Sequence, residues 1–184
     1  MSHAWAGDLA LSPNLFFIKR NKNANEVHYD ARVQDCKWLR PELESYWREL
    51  KEGPDVYVPV RLYEQLAYGY EVDRVSDTEI RISLKALPGR FITARLTPKN
   101  DKGCDVAVGI KVNGKPAELS GVYVYATEGL FGRMPIVRFS DILALEGGHP
   151  VFERVRTEAG SNTQAPDPDP PRWRSGASRL GRHQ

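Results

Sequence analysis

Arg20, Lys22, Asn23 and Asn25 fall close together in KRNKNANE. A guanidinium, an ammonium and two amides at one turn supply the donors that a multiply oxygenated polar group needs. His28, Tyr29 and Asp30 follow at once, and they place an imidazole, a phenol and a carboxylate beside that turn. A second cluster lies in YEQLAYGY, where Glu64 and Tyr68 share a face if the segment is helical and Tyr70 comes just beyond. Tyr125, in GVYVYA, alternates with valines and offers an aromatic wall for a cavity or an interface. These nine candidates for ligand or partner binding are Arg20, Lys22, Asn23, Asn25, His28, Glu64, Tyr68, Tyr70 and Tyr125. The plainer reading has the asparagines only building a turn and the tyrosines only packing.

No residue is assigned a catalytic role. The chain has no nucleophile elbow and no phosphate-cradling glycine loop, and GLFGR lacks the strand-to-helix setting of a dinucleotide site. His28 and His149 are too far apart in sequence to imply a metal site, so neither a metal nor a cofactor is expected. Cys36 and Cys104 match no metal or redox spacing and read as two buried thiols. The opening MSHAWAGDLALSPN has neither the basic nor the long apolar segment of an export signal, and no stretch is long and apolar enough to span a membrane. A cytoplasmic location is the expectation.

The elements that must position these groups are short. Val27, Tyr29, Ala31 and Val33 alternate with His28, Asp30 and Arg32, which predicts a strand after an asparagine-rich reversal. EIRISL and FITARL alternate around LPGR, CDVAVGIKV follows a PKNDKG turn, and Asn113-Gly114 suits a two-residue hairpin. The expected inward residues are Ile80, Ile82, Leu84, Ile92, Ala94, Leu96, Val122 and Val124. PELESYWRELKEG could be a short helix or a strand: Leu43, Tyr46, Trp47 and Leu50 recur at three- and four-residue steps, which favours the helix, while Tyr and Trp are also common in strands. RLYEQLAYGYEV reads as a brief helix feeding a strand, and SDILAL as a short helical turn capped by Ser140.

The fold class that follows is mostly β, an antiparallel barrel or sandwich with one or two short helices. Hydrophobic residues at 41% allow a single core, placed at residues 12–156. Residues 157–184 read as a flexible tail containing proline and arginine. Residues 1–155 hold 21 basic and 21 acidic side chains, so the net charge of +2 belongs to residues 156–184. A neutral core makes nucleic acid an unlikely partner unless its basic residues segregate to one face; the tail, with Arg172, Arg174, Arg179 and Arg182 around Trp173, is the candidate place for it. Leu130 and Phe131 offer an apolar loop tip.

FFIKRNKNANEVHYDARV, ESYWREL and YEQLAYGY together resemble the opening of a bacterial family of unknown function, domain of unknown function 4833. The resemblance extends through VNGK and GVYVYA to about residue 155 and leaves the tail outside. This chain has Asn21 where the family pattern has serine, and Gln65 where it has a basic residue. The resemblance implies one coherent domain and carries no substrate or reaction. The functional expectation is a non-enzymatic domain that recognises a polar small molecule or a protein partner. The alternatives are a small enzyme with Glu64 or His28 as general base, and weak nucleic-acid binding through the tail.

Overall fold

A computed structural model describes residues 13–49, 52–99, 103–129 and 134–157. Eleven strands form one sheet: β1 (Asn14–Arg20), β2 (Glu26–Gln34), β3 (Lys37–Glu49), β4 (Val56–Pro59), β5 (Tyr70–Arg74), β6 (Glu79–Leu84), β7 (Phe91–Pro98), β8 (Cys104–Val112), β9 (Lys115–Glu128), β10 (Pro135–Glu146) and β11 (His149–Arg156). A 3-10 turn at Leu62–Glu64 runs into the single short helix α1, Gln65–Tyr68. The order is β4-β3-β2-β1-β9-β8-β7-β6-β5, with β10 attached to β9 and β11 to β10.

The long strand β9 organises this arrangement. Glu118 pairs with Gly109 of β8 and with Leu145 of β10, while Val122 pairs with Ile18 of β1 and with Ile142 of β10. β8 and β1 therefore lie in succession along one edge of β9, and β10 covers the other. Two wings spread from that shared edge, β1–β4 and β5–β8. Each wing is built of antiparallel neighbours, and the β1–β9 contact is the one parallel pairing among the described strands.

The expected antiparallel β architecture is present, but the barrel alternative is not. No ladder among the described residues joins β4 to β5, so the sheet stays open. Its wings are instead tied across the gap by isolated bonds. Trp38 N–H donates to Asp77 O at 3.1 Å, Arg74 donates to the carbonyls of Trp38 and Leu39, and Tyr70 Oη donates to Leu43 O at 3.2 Å. The core lies between the wings and joins Ile18, Val27, Tyr29, Leu43 and Trp47 to Ile80, Ile82, Ile92 and Ala94. All eight residues expected to point inward from β6, β7 and β9 are buried. At the Asn113-Gly114 turn both residues have positive φ, 50° and 80°, as a two-residue hairpin requires.

Three expectations fail for local reasons. The Tyr46-Trp47 segment is strand rather than helix, because β3 is paired along its length by β2 and over Tyr46–Glu49 by β4. SDILAL belongs to β10, where the Ser140 hydroxyl donates to Ala86 O at 2.6 Å instead of capping a helix. Cys36 and Cys104 are not thiols: they form a disulfide with Cα atoms 5.4 Å apart, linking the β2–β3 turn to the start of β8. The tail and the Leu130-Phe131 tip lie outside the described residues. No helix among the described residues is long and apolar enough to cross a membrane.

The disulfide spans 68 positions and joins the two wings directly. Restricting the unfolded chain over a loop of that length stabilises the fold by about 4 kcal/mol. The Cys36→Ser/Cys104→Ser double variant should lose stability of that order in urea unfolding, with an unchanged β spectrum by circular dichroism. Two titratable thiols in the unreduced parent protein would contradict the bond.

Candidate functional site

The three segments Arg20–Lys22, Trp47 and Tyr63–Tyr68 come from distant parts of the chain and meet at one end of the interior. Arg20 ends β1 on the same face as Ile18, and its guanidinium carbon sits 4.3 Å from the centroid of the Trp47 ring. Such a stack holds a cation against the negative face of the indole. Arg20 Nε also donates to Asn23 Oδ1 at 3.2 Å, and its charge acts on the Tyr68 hydroxyl that lines the same cleft. The Asn23 side chain accepts the Asn25 N–H as well, at 3.0 Å. The asparagine turn thus orients Arg20 as well as reversing the chain.

Trp47 Nε1 donates to Glu64 Oε2 at 2.8 Å, and the Arg61 backbone N–H donates to the same oxygen at 2.8 Å. The Tyr68 ring meets the Trp47 ring edge-on at 5.1 Å. Gly69 lets the helix end tightly against its own last turn, since a Cβ there would lie 2.3 Å from Gln65 O. That close approach, with no positive φ involved, is why the turn carrying Glu64 and Tyr68 needs glycine at its end.

These groups surround a cleft of about 240 Å³. Arg20, Lys22, Glu64 and Tyr68 line it, together with Asn21, Tyr63, Thr127 and Glu128. Lys22 pairs with Glu128 at the rim, and Asn21 Oδ1 accepts the Ala126 N–H at 3.0 Å, fixing the hairpin to β9. Sequence reasoning missed Tyr63, Thr127 and Glu128. No periodicity links them to residue 20, because the parallel β1–β9 contact that brings β9 alongside is a long-range pairing.

The remaining candidates lie elsewhere. Asn23 and Asn25 support the turn without lining the cleft. Tyr70 packs edge-on against Tyr29 at 5.7 Å and belongs to the core. Tyr125 stacks on Phe139 at 4.9 Å on the outer face of β9 and β10. His28 occupies the face of β2 opposite Tyr29, sandwiched between the Phe17 and Tyr46 rings. Its Nε2 lies 2.9 Å from buried Glu26 Oε2, and its Nδ1 lies 3.1 Å from Asn14 Nδ2. Both ring nitrogens are engaged there, away from Arg20. Tyr46 Oη donates to Asp30 Oδ2 at 2.6 Å and completes this second cluster.

With this geometry in view, the family match has a physical location. The chain belongs to the family described as domain of unknown function DUF4833. Its family model matches residues 16–154, which include every strand except the ends of β1 and β11. No curated protein and no solved structure matches the chain. The phrases around Arg20, Tyr46-Trp47 and Glu64–Tyr68 by which the sequence resembles this family are the ones that converge on the cleft.

Burial shapes the ionisation of the surrounding phenols. The Tyr29 and Tyr68 hydroxyls are pushed up chiefly by loss of solvent, with the Arg20 guanidinium pulling Tyr68 partly back. Tyr70 is raised for the same reason, with a hydrogen bond from Ser45 opposing. A phenol whose pKa is higher in the folded state contributes stability that is fully present below the unfolded value, about 10. That contribution is lost as pH rises through the folded pKa. The thermal midpoint should therefore fall as pH rises above about 10, and Tyr68→Phe should flatten that fall. A midpoint equally steep in the variant would remove Tyr68 from the account.

Proposed function

We propose that the cleft recognises a polar group on a small molecule or a protein partner without transforming it. The observation that carries this reading is the Arg20–Trp47–Glu64 triad. One indole holds a guanidinium on its face and a carboxylate at its edge, so a fixed donor fork and a fixed acceptor flank the same small space. Groups held in this way lose little freedom on binding, and recognition benefits from that preorganisation. At about 240 Å³ the cleft suits a group of a few heavy atoms with both an anionic and a donor end, as in an amino acid or a peptide terminus.

The enzyme alternative narrows to Glu64, because His28 lies on the other face of β2 with both nitrogens engaged. Glu64 itself is held by two donors on one oxygen, an arrangement that suits an oriented acceptor. The nucleic-acid alternative rested on tail residues outside the described part of the chain. The same proposal includes the compartment. The cytoplasmic expectation rested on the opening segment and on two free thiols, whereas a bond between Cys36 and Cys104 persists where conditions are oxidising.

Calorimetric titration against free amino acids and short dipeptides tests the reading. A bond from a guanidinium to an anionic group contributes about 1.5–3 kcal/mol, so Arg20→Ala should weaken the best binder about tenfold or more. Trp47→Phe keeps an aromatic face but removes the Nε1 donor and should weaken binding less. Unchanged affinity in Arg20→Ala, with the parent circular dichroism spectrum, would reject the anchor. Turnover of a bound compound that Glu64→Gln abolishes would establish the enzyme instead.

A further inference from the structure

The outer face of the second wing carries a groove that shares no residue with the Arg20 cleft. Strand alternation builds it. Ile80, Ile82, Ile92 and Ala94 point into the core, so Arg81, Phe91, Thr93 and Arg95 point outward. Thr93 is paired with Gly109, and Arg95 with Ala107. Small residues thus occupy the centre of the outer face and larger ones its margins, leaving a groove of about 860 Å³.

Every ionisable side chain lining this groove is cationic: Arg81, Arg90, Arg95 and Lys111. Arg90 is matched by a two-point contact with Glu153, and Arg95 lies 3.3 Å from Glu79. Arg81 and Lys111 have no carboxylate within ion-pair distance among the described residues. Arg81 instead sits 5.0 Å over the ring of Phe91, which is 51% exposed. Arg81 belongs to β6 and Lys111 to β8, with Phe91 on β7 between them. Arg81 is level with Gly109 and Lys111 lies two residues further along β8, so two strand spacings and that offset separate their Cα atoms by roughly 12 Å.

An exposed ring on a low floor, flanked by two unmatched cations, calls for an extended ligand with a flat face and acidic groups on either side. We propose that this groove binds an acidic polysaccharide. Phe91, half exposed beside the Arg81 guanidinium that stacks on one of its faces, would carry a sugar ring on the other face, and Arg81 and Lys111 would meet carboxylate or sulfate groups of the flanking units. The oxidising compartment inferred from the disulfide favours a glycan over a nucleic acid as the polyanion encountered there. The proposal rests on that compartment and is independent of the Arg20 cleft.

The test uses the full chain, with size-defined oligogalacturonate, neutral dextran oligomers and oligothymidylate of matched length as probes. Oligogalacturonate should bind and dextran should not, and the affinity should fall about fivefold between about 50 and 300 mM salt as the cations are screened. Arg81→Ala/Lys111→Ala should weaken oligogalacturonate about tenfold or more. Phe91→Ala should weaken it while leaving the salt dependence intact, and Arg20→Ala should change nothing. Lys111→Glu, a single exposed change, serves if the double variant misfolds, and it should weaken binding at least as much as Lys111→Ala. Absence of oligogalacturonate binding, equal binding of dextran, tighter binding of oligothymidylate, or full affinity in the charge variants would each overturn the proposal.

Discussion

The parallel contact between β1 and β9 is the constraint on which the rest of the molecule depends. It spans only Ile18–Arg20 against Val122–Val124, yet it sets the first wing on the same edge of β9 that carries β8 further along. Were β1 to pair elsewhere, the wings would not face one another and no shared core would form between Val27 and Ile82. The same three-residue contact delivers Arg20 to the end of β9, beside Ala126 and Thr127. Fold and cleft thus follow from one pairing, which the antiparallel hairpins on either side cannot supply themselves.

Local structure was legible wherever one face of a strand is buried and the other is wet. Ile80, Ile82 and Leu84 alternate against Arg81 and Ser83, and Asn113-Gly114 announces its own turn, so β6 to β9 could be read directly. β3 could not. Its inward positions include Leu43, Ser45 and Trp47, and the half-buried hydroxyl of Ser45 breaks the apolar rhythm. Tyr46 points to the opposite face, which is also covered, by His28 and Tyr57. Combining residues from two covered faces mimics a helical spacing. β10 fails likewise: Asp141 is fully buried on the face away from Ile142, where Arg154 grips its carboxylate with bonds of 2.8 and 3.0 Å.

The candidate site was legible in part, and the boundary has a physical cause. Residue type marked Arg20, Lys22, Glu64 and Tyr68, because a guanidinium, an ammonium, a carboxylate and a phenol are the groups that can recognise a polar ligand. Trp47 entered only as an apolar position in a helical spacing, although it is the group that joins Arg20 to Glu64. Its two functions, a ring face and an Nε1–H, become visible only once the neighbours on each side are known. His28 illustrates the reverse case. Proximity in sequence to Arg20 suggested a shared site, but the two-residue period of a strand sends it to the opposite face.

The ends of the wings differ in how they are held together, and that difference explains where a site can form. β2 begins after the Arg20–Asn25 turn and ends before Cys36, so the cleft and the disulfide stand roughly 30 Å apart along one strand. At the far end, a covalent bond, the Trp38–Asp77 backbone bond and the Arg74 contacts lock the wings. At the near end the 3-10 turn and α1 fill the opening, and side chains make most of the connections: Tyr29 to the Tyr68 carbonyl, Trp47 to Tyr68 and Glu64. Tight closure at one end fixes the spacing of the wings, so the looser end can leave a small polar space without destabilising the core. A groove on the outer face needs no such opening, because small residues at Thr93, Ala107 and Gly109 create it from the sheet surface alone.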